Sequence, residues 1–227
     1  MNTDEAVSAD IGMPVGTSPA GVRVERVVTS GVFELDGGSW EVENNVWLVG
    51  DDSQVLVVDA AHDAGVILRA VGDRRLVAVV CTHGHNDHVN AAGAVVAATG
   101  ATAHLHPDDR VLWDQSQTEP PGAELADRQV FSVGDVELTV LHTPGHAPGA
   151  CCLYLPALGV LFSGDTLFNG GPGATGRSYS DFPTIVESIR TRLLDLPADT
   201  VVLTGHGDPT TVGAEAPHLQ EWIARGH

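Results

Sequence analysis

Four ligand-type side chains fall within six residues in Thr82-His83-Gly84-His85-Asn86-Asp87-His88, directly after the apolar run Leu76–Cys81. A short apolar run of that kind is a buried strand, so it delivers this cluster to the edge of a sheet. Residues two apart in extended backbone point the same way. His83 and His85 therefore share a face and can grip one ion. Asp87 and His88 stand where the chain is expected to turn into a helix, and can face a second ion. Gly84 lets the backbone bend between the two pairs.

Three later motifs complete the set. His146 lies in Thr143-Pro144-Gly145-His146-Ala147-Pro148-Gly149, Asp165 in Ser163-Gly164-Asp165-Thr166, and His206 in Thr204-Gly205-His206-Gly207-Asp208. Each follows an apolar strand and sits beside glycine, the placement expected of residues converging at one sheet edge. Seven ligands are too many for one ion. Imidazole and carboxylate together suit zinc, iron or manganese. A lone histidine is usually structural, and His62, His104, His106, His142, His218 and His227 take that reading. Asp59 ends a strand near the cluster. It either orients a ligand histidine or caps the following helix.

Around these motifs, short strands alternate with helices. Val22–Val28, Asn45–Val49, Gln54–Asp59, Leu76–Cys81 and Thr102–His106 read as strands. Helices are expected at Asp63–Val71, Asn90–Thr99 and Pro107–Trp113. In the second half, Val130–Val133 and Val136–His142 flank Gly134-Asp135, a hairpin signal. Cys151–Leu155, Val160–Phe162 and Thr200–Leu203 follow as strands, with helices at Phe182–Leu196 and Ala216–Ala224. Two packed sheets covered by helices satisfy this order. Residues 1–20 are small and polar and read as a flexible tail, ahead of one domain over residues 21–227.

The formal net charge is −19, and all eleven basic side chains are arginine. Such acidity argues against nucleic-acid partners, which need clustered cations, and against an anionic membrane surface. The absence of lysine removes Schiff-base and P-loop chemistry. No apolar run reaches the roughly 18 residues of a membrane span. Cys81, Cys151 and Cys152 read as core thiols, and no secretory leader is evident, so a cytoplasmic protein acting on a small molecule is expected.

The order His-x-His-x-Asp-His, then His, Asp and His, resembles the metallo-β-lactamase superfamily. Within it, TPGHAPG, GDTLF and GHGDPTT resemble glyoxalase II-type (hydroxyacylglutathione hydrolase-like) thioester hydrolases. The likeness covers nearly all of the chain after the tail. It implies an α/β fold, an αββα sandwich of two mixed β-sheets flanked by helices, with the site at one edge of both sheets. It implies two divalent metal ions, zinc first, with iron or manganese as alternatives. His83, His85 and His146 would hold one ion and Asp87, His88 and His206 the other. Asp165 would bridge them, with Asp87 and Asp165 the catalytic carboxylates. The implied reaction is cleavage of a thioester of a small cellular thiol by a metal-bridging hydroxide. A thiolate leaves with little protonation, so no dedicated acid is needed. Glyoxalase II carries Gly-Lys-x-Tyr after its bridging aspartate to help hold glutathione. Gly176-Arg177-Ser178-Tyr179 matches it here, making Arg177 and Tyr179 the substrate-binding candidates. The other reading of Arg177 is a surface side chain in a glycine-rich loop. The family's larger members add a helical domain after the last ligand, whereas about twenty residues follow His206. Lactone or other ester hydrolysis, and a mononuclear iron persulfide dioxygenase, are the alternatives. β-Lactams are not expected as substrates, because true β-lactamases carry Cys or Ser in place of Asp165.

Overall fold

The computed structural model describes residues 9–226; residues 1–8 and His227 lie outside the described residues. The first sheet orders β1 (Arg23–Leu35), β2 (Gly38–Gly50), β3 (Gln54–Val58), β4 (Arg75–Val80), β5 (Ala103–Leu105) and β6 (Ala123–Glu124) side by side. Its first three strands are antiparallel, and the β3–β4, β4–β5 and β5–β6 pairs are parallel. The second sheet is built from β7 (Val130–Val133), β8 (Val136–His142), β9 (Cys151–Leu155), β10 (Val160–Gly164), β13 (Val201–Thr204) and β14 (Thr210–Thr211). A small ribbon, β11 (Leu167–Phe168) with β12 (Gly171–Pro172), follows β10. The β10–β13 pair is parallel, and the other pairs of the second sheet are antiparallel.

The layers follow from the two-residue period of the strands. In β3, Leu56 and Val58 enter the core between the sheets, together with Trp47 and Val49 of β2, Ala78 and Val80 of β4, and Leu153, Phe162 and Leu203 of the second sheet. Their neighbours Val55, Val57, Val46, Leu48 and Val79 face the other way, onto Ile67 and Val71 of α1 (Ala64–Val71) and Val95 of α3 (Ala92–Thr99). On the far side, Leu141, Leu161 and Val202 pack against Ile185 of α5 (Phe182–Ser188) and Trp222 of α7 (Leu219–Arg225). This is the αββα sandwich of two mixed sheets that the sequence led us to expect. Its remaining helices are single turns: α2 (Asn86–Val89), α4 (Arg110–Trp113) and α6 (Val212–Glu215).

Several boundaries differ from expectation. The strands expected at Val22–Val28 and Asn45–Val49 are the inner ends of one long hairpin, registered from Arg23↔Gly50 to Leu35↔Gly38. Its outer half alternates with exposed and polar residues and so lacks the apolar signature of a buried strand. The turn is Asp36-Gly37, with φ of 53° and 77°, the paired positive values of a type I′ turn. Segment 9–20, expected as part of a flexible tail, lies along the domain: the Ala9 N–H donates to the Arg26 carbonyl at 2.7 Å, and Ile11 and Val15 pack against the core. The helix expected over Asn90–Thr99 is preceded by α2, so Asp87 and His88 do sit on a helical turn. The helix from Phe182 continues as a π-helical turn, Ile189–Leu193. Among the described residues, no helix is long and apolar enough to cross a membrane.

Candidate metal centre

The ligand-bearing segments leave the strands on one side. Strand β3 ends into Asp59, β4 into Thr82–His88, β10 into Asp165 and β13 into His206. Parallel pairing of β3 with β4 and of β10 with β13 forces these ends to the same edge. The β8–β9 connection brings His146 to it.

All seven sequence candidates meet there. Single ligand atoms of His83, His85 and His146 lie within 4.8 Å of one another, and the same holds for Asp87, His88 and His206. Asp165 joins the two groups. Its Oδ2 is 3.6 Å from His146 Nε2 and 3.5 Å from His206 Nε2, and its Oδ1 is 3.4 Å from His88 Nε2. Gly205 is required beside it, because a Cβ at that position would strike the Asp165 carboxylate.

Second partners fix the orientation of the rings. His88 Nδ1 donates to Asp59 Oδ2 at 2.9 Å, His146 Nδ1 to the Ala174 carbonyl at 2.9 Å, and His206 Nδ1 to the Glu43 carbonyl at 2.7 Å. A ring that donates from Nδ1 turns its Nε2 lone pair inward. Yet His88 Nε2 stands 3.2 Å from His206 Nε2, and His146 Nε2 stands 3.0 Å from His85 Nδ1. Ring nitrogens this close share a proton in the free protein or a cation when metal binds. His83 Nε2, Asp87 Oδ1 and Asp165 Oδ1 are buried with no hydrogen-bond partner among the described residues, a cost that coordination would remove. The donor set thus fits two divalent ions.

The charges of the two groups differ. Burial, reinforced by neighbouring histidines, holds His83 well below its ordinary pKa and brings His85 to about 3. Burial acts on His88 in the same direction, but Asp165, Asp87 and Asp59 overcome it and hold that ring well above its ordinary value. Burial would raise the Asp165 carboxyl; His206, His88 and His146 reverse this and leave it well below the carboxylate range.

The structure decides the role of Asp59. It caps no helix, since α1 is capped by Asp63. Instead it accepts from the Thr82 N–H and hydroxyl, both at 2.7 Å, and from His88. Asn44 and Asp109, which the sequence reading did not single out, and His62 also matter. The Asn44 amide nitrogen lies 3.1 Å from Asp87 Oδ2, and His62, read as structural, holds the other end of that amide. Asp109 accepts from the Gly84 and Gly149 N–H groups, at 2.8 and 2.5 Å, and so ties two ligand loops together. Their residue types carried no signal; only their contacts do.

The centre floors a cavity of about 290 Å³ walled by Phe33, Leu35, Trp40, Val42 and Phe168, with Arg177 at its rim. The Arg177 guanidinium stacks 3.8 Å from the Trp40 ring centroid. The adjacent Ser178 N–H donates to Asp36 Oδ2 at 3.0 Å, clasping the hairpin tip. Tyr179 is 48% exposed and does not line this cavity.

Residues 40–206 match the model of the metallo-β-lactamase superfamily.

The chain belongs to that superfamily.

It is 32% identical over 190 residues to the hydroxyacylglutathione hydrolase GloC of Haemophilus influenzae, covering 76% of this chain and 90% of that one. Among solved structures, the B3 metallo-β-lactamase BLEG-1 superposes with a TM-score of 0.72 at 27% identity, over 86% of this chain and 99% of the other. TTHA1623, solved in a di-iron-bound form, gives a TM-score of 0.66 at 31% identity, over 77% and 93%. Family and ligand set together make the chain a metal-dependent hydrolase.

Proposed function

We propose that this hydrolase cleaves a thioester of a small, acid-bearing cellular thiol, using two divalent ions, zinc first. The observation that carries this reading is a pair of ligand groups joined by Asp165, flooring an apolar cavity with Arg177 at its rim. His83, His85 and His146 would hold one ion and Asp87, His88 and His206 the other, with Asp165 placed between the two groups. The ions would supply a water ionised near neutral pH and a Lewis acid for the carbonyl.

The chain's own residues do the rest. Phe33, Trp40 and Phe168 give the acyl group an apolar wall and exclude water. The Arg177 fork, outside any ion pair among the described residues, offers two-pronged hydrogen bonds to a carboxylate on the thiol. Apart from Asp87 and Asp165, no carboxylic acid among the described residues lines the cavity. A thiolate leaves without being protonated, whereas an amine needs a proton donor; the lining therefore favours a thioester over an amide. The likeness to GloC points the same way. Three free, buried thiols suit a reducing cytoplasm.

The test is turnover of a panel of glutathione and mycothiol thioesters, lactones, phosphodiesters and nitrocefin by zinc-loaded protein, with elemental analysis. Thioesters are expected to lead with about two ions per chain. A lactone or β-lactam turned over more efficiently would replace the substrate reading, and one tightly held iron would favour the dioxygenase.

A further inference from the structure

The cavity over the ligand cluster has a graded wall. Strand residues two apart share a face, and on β2 one face carries Asn44, Val42 and Trp40 in turn. Asn44 touches Asp87, His88 and His206 at the floor. Val42 and Trp40 line the cavity above it. From Asn44 to Trp40 the strand rises about 13 Å. Across the hairpin, Gly31 stands opposite Val42, and Phe33 stands opposite Trp40. The Phe33 and Trp40 rings stack with centroids 5.6 Å apart. Phe33 also meets the His85 ring edge-on, at 5.2 Å between centroids. Hydrocarbon therefore runs from the ligands to the rim.

This wall offers no neutral hydrogen-bonding group. Ser180 lines the cavity elsewhere, but its hydroxyl is fully engaged. It donates to the Arg177 carbonyl at 2.7 Å and accepts from the Gly176 and Arg177 N–H groups at 2.9 and 3.1 Å. Ser178 is exposed, and the Arg177 guanidinium covers the Trp40 ring at the rim. A hydroxyl on an acyl group seated against Val42 and Phe33 would lose its water and gain no partner from the wall, which is costly.

An acyl group beside the ligands that is as short as lactoyl spans only the first step of this ladder. It leaves the Phe33–Trp40 pair in water, whereas a longer hydrocarbon covers it. We propose that the acyl half of the substrate is a hydrocarbon chain or ring larger than a three-carbon unit, laid along Val42 toward Phe33 and Trp40, and that Val42 is the residue that sets its accepted length. The thiol half then departs along the other wall, the 174–180 segment that carries Arg177. The proposal rests on the thioester reading, yet the wall meets an acyl group whatever that group is joined to.

The test uses zinc-loaded protein and one thiol carrying acetyl, propionyl, lactoyl, butyryl, hexanoyl or phenylacetyl groups. Along the straight chains, kcat/KM should rise about three- to fourfold per added methylene. Propionyl should exceed lactoyl, which differs from it by one hydroxyl, by about fivefold or more. Binding of the free acids gives a readout without turnover. Trp47, Trp113 and Trp222 are each 2% exposed and Trp40 is 40% exposed, so a blue shift of tryptophan emission reports cover over Trp40. Hexanoate should produce that shift and lactate should not, and Trp40→Phe should abolish it. Val42→Phe should lower the hexanoyl-to-acetyl ratio of kcat/KM about tenfold. Val42→Thr, similar in shape but with a polar atom, should lower it about fivefold. A flat series, a lactoyl thioester that matches the propionyl one, or an unchanged ratio in both Val42 variants would each overturn the proposal. If no thioester is cleaved, the thioester reading fails, and the emission shift alone decides for the acyl wall: no shift with hexanoate, or an equal one with lactate, overturns it.

Discussion

His83, His85 and His146 are held below their ordinary pKa values first by burial, whereas His88 and His206 are held above theirs, against burial, by Asp165 and Asp87. The two halves of the centre thus meet a cation differently. The imidazole half offers free lone pairs and binds with no proton to release. The acidic half keeps protons where the cation will sit, and binding must displace them. Only Asp165 belongs to both, so its carboxylate is the natural place to break the comparison. We predict that Asp165→Ala loses both ions and turnover falls to background; elemental analysis reads the first effect and the panel assay the second. Two retained ions with near-normal rates would show that the halves are independent of Asp165.

A pH series sharpens the contrast. Groups with raised pKa values bind protons more tightly in the fold, so they compete with metal as pH falls. The ion at Asp87, His88 and His206 should leave first on acidification, while the ion at His83, His85 and His146 persists to lower pH, as the value of about 3 for His85 allows. In metal-free protein the sign is opposite: the raised His88 and His206 stabilise the fold below about pH 6.5, and that contribution fades as pH rises through their folded values. Stepwise metal loss, followed by elemental analysis after dialysis at each pH, checks this. Simultaneous loss of both ions would erase the distinction.

The outer partners carry the contrast one layer further. His146 and His206 are oriented by carbonyls, but His88 depends on a side chain. Asp59→Asn puts an amide where Thr82 and His88 both donate, and should weaken metal binding about 10- to 100-fold, most at the acidic half, because the imidazole half feels it only through Thr82 Oγ1, 3.1 Å from His83 Nδ1; competition with a chelator reads it. A smaller effect belongs to Asp109, which serves the imidazole half by holding Gly84 between His83 and His85. Burial raises its carboxyl to about 7. Asp109→Ala strands two buried N–H groups, costing about 2 kcal/mol, or roughly 5 °C in Tm for a domain of this size. Because the folded pKa lies above 3.8, stability from this group declines between about pH 4 and 7, and the variant should lose that slope.

These residues also mark what the sequence could reveal. The seven ligands were legible because their chemistry is written in residue type and in spacing after apolar strands. The two sheets were legible because buried strands announce themselves. Asp59 was half legible, with position evident and partner not. Asn44, His62 and Asp109 were silent, since their roles come from contacts spanning 18 to 43 residues. The outer hairpin was silent for a different reason. Its arms bury few apolar side chains, and they are held by Asp36-Gly37 and the clasp to Ser178 rather than by a hydrophobic pattern.

That hairpin sets the smallest expected effect. Arg177 touches neither half of the centre; its guanidinium lies on the Trp40 ring and 5.4 Å from the centroid of Phe33. An arginine in this position has two possible uses. It can brace the hairpin against the Gly176–Ser180 loop, or it can use its free edge to hold a carboxylate on the departing thiol. Bracing is worth about 0.5–1 kcal/mol at an exposed site, and its loss would loosen the cavity for every substrate equally. Anchoring is selective: Arg177→Ala should raise KM about tenfold for thioesters of acid-bearing thiols, leave kcat nearly unchanged, and spare neutral thioesters, because the anchor is remote from the reacting carbon. Arg177→Lys separates the uses further, keeping the charge while giving up the planar fork and the stack. Tyr179→Phe should change nothing, given the exposure of that side chain. If Arg177→Ala slows charged and neutral thioesters alike, the residue is a brace, and the specificity for an acidic thiol has to be sought elsewhere on the cavity rim.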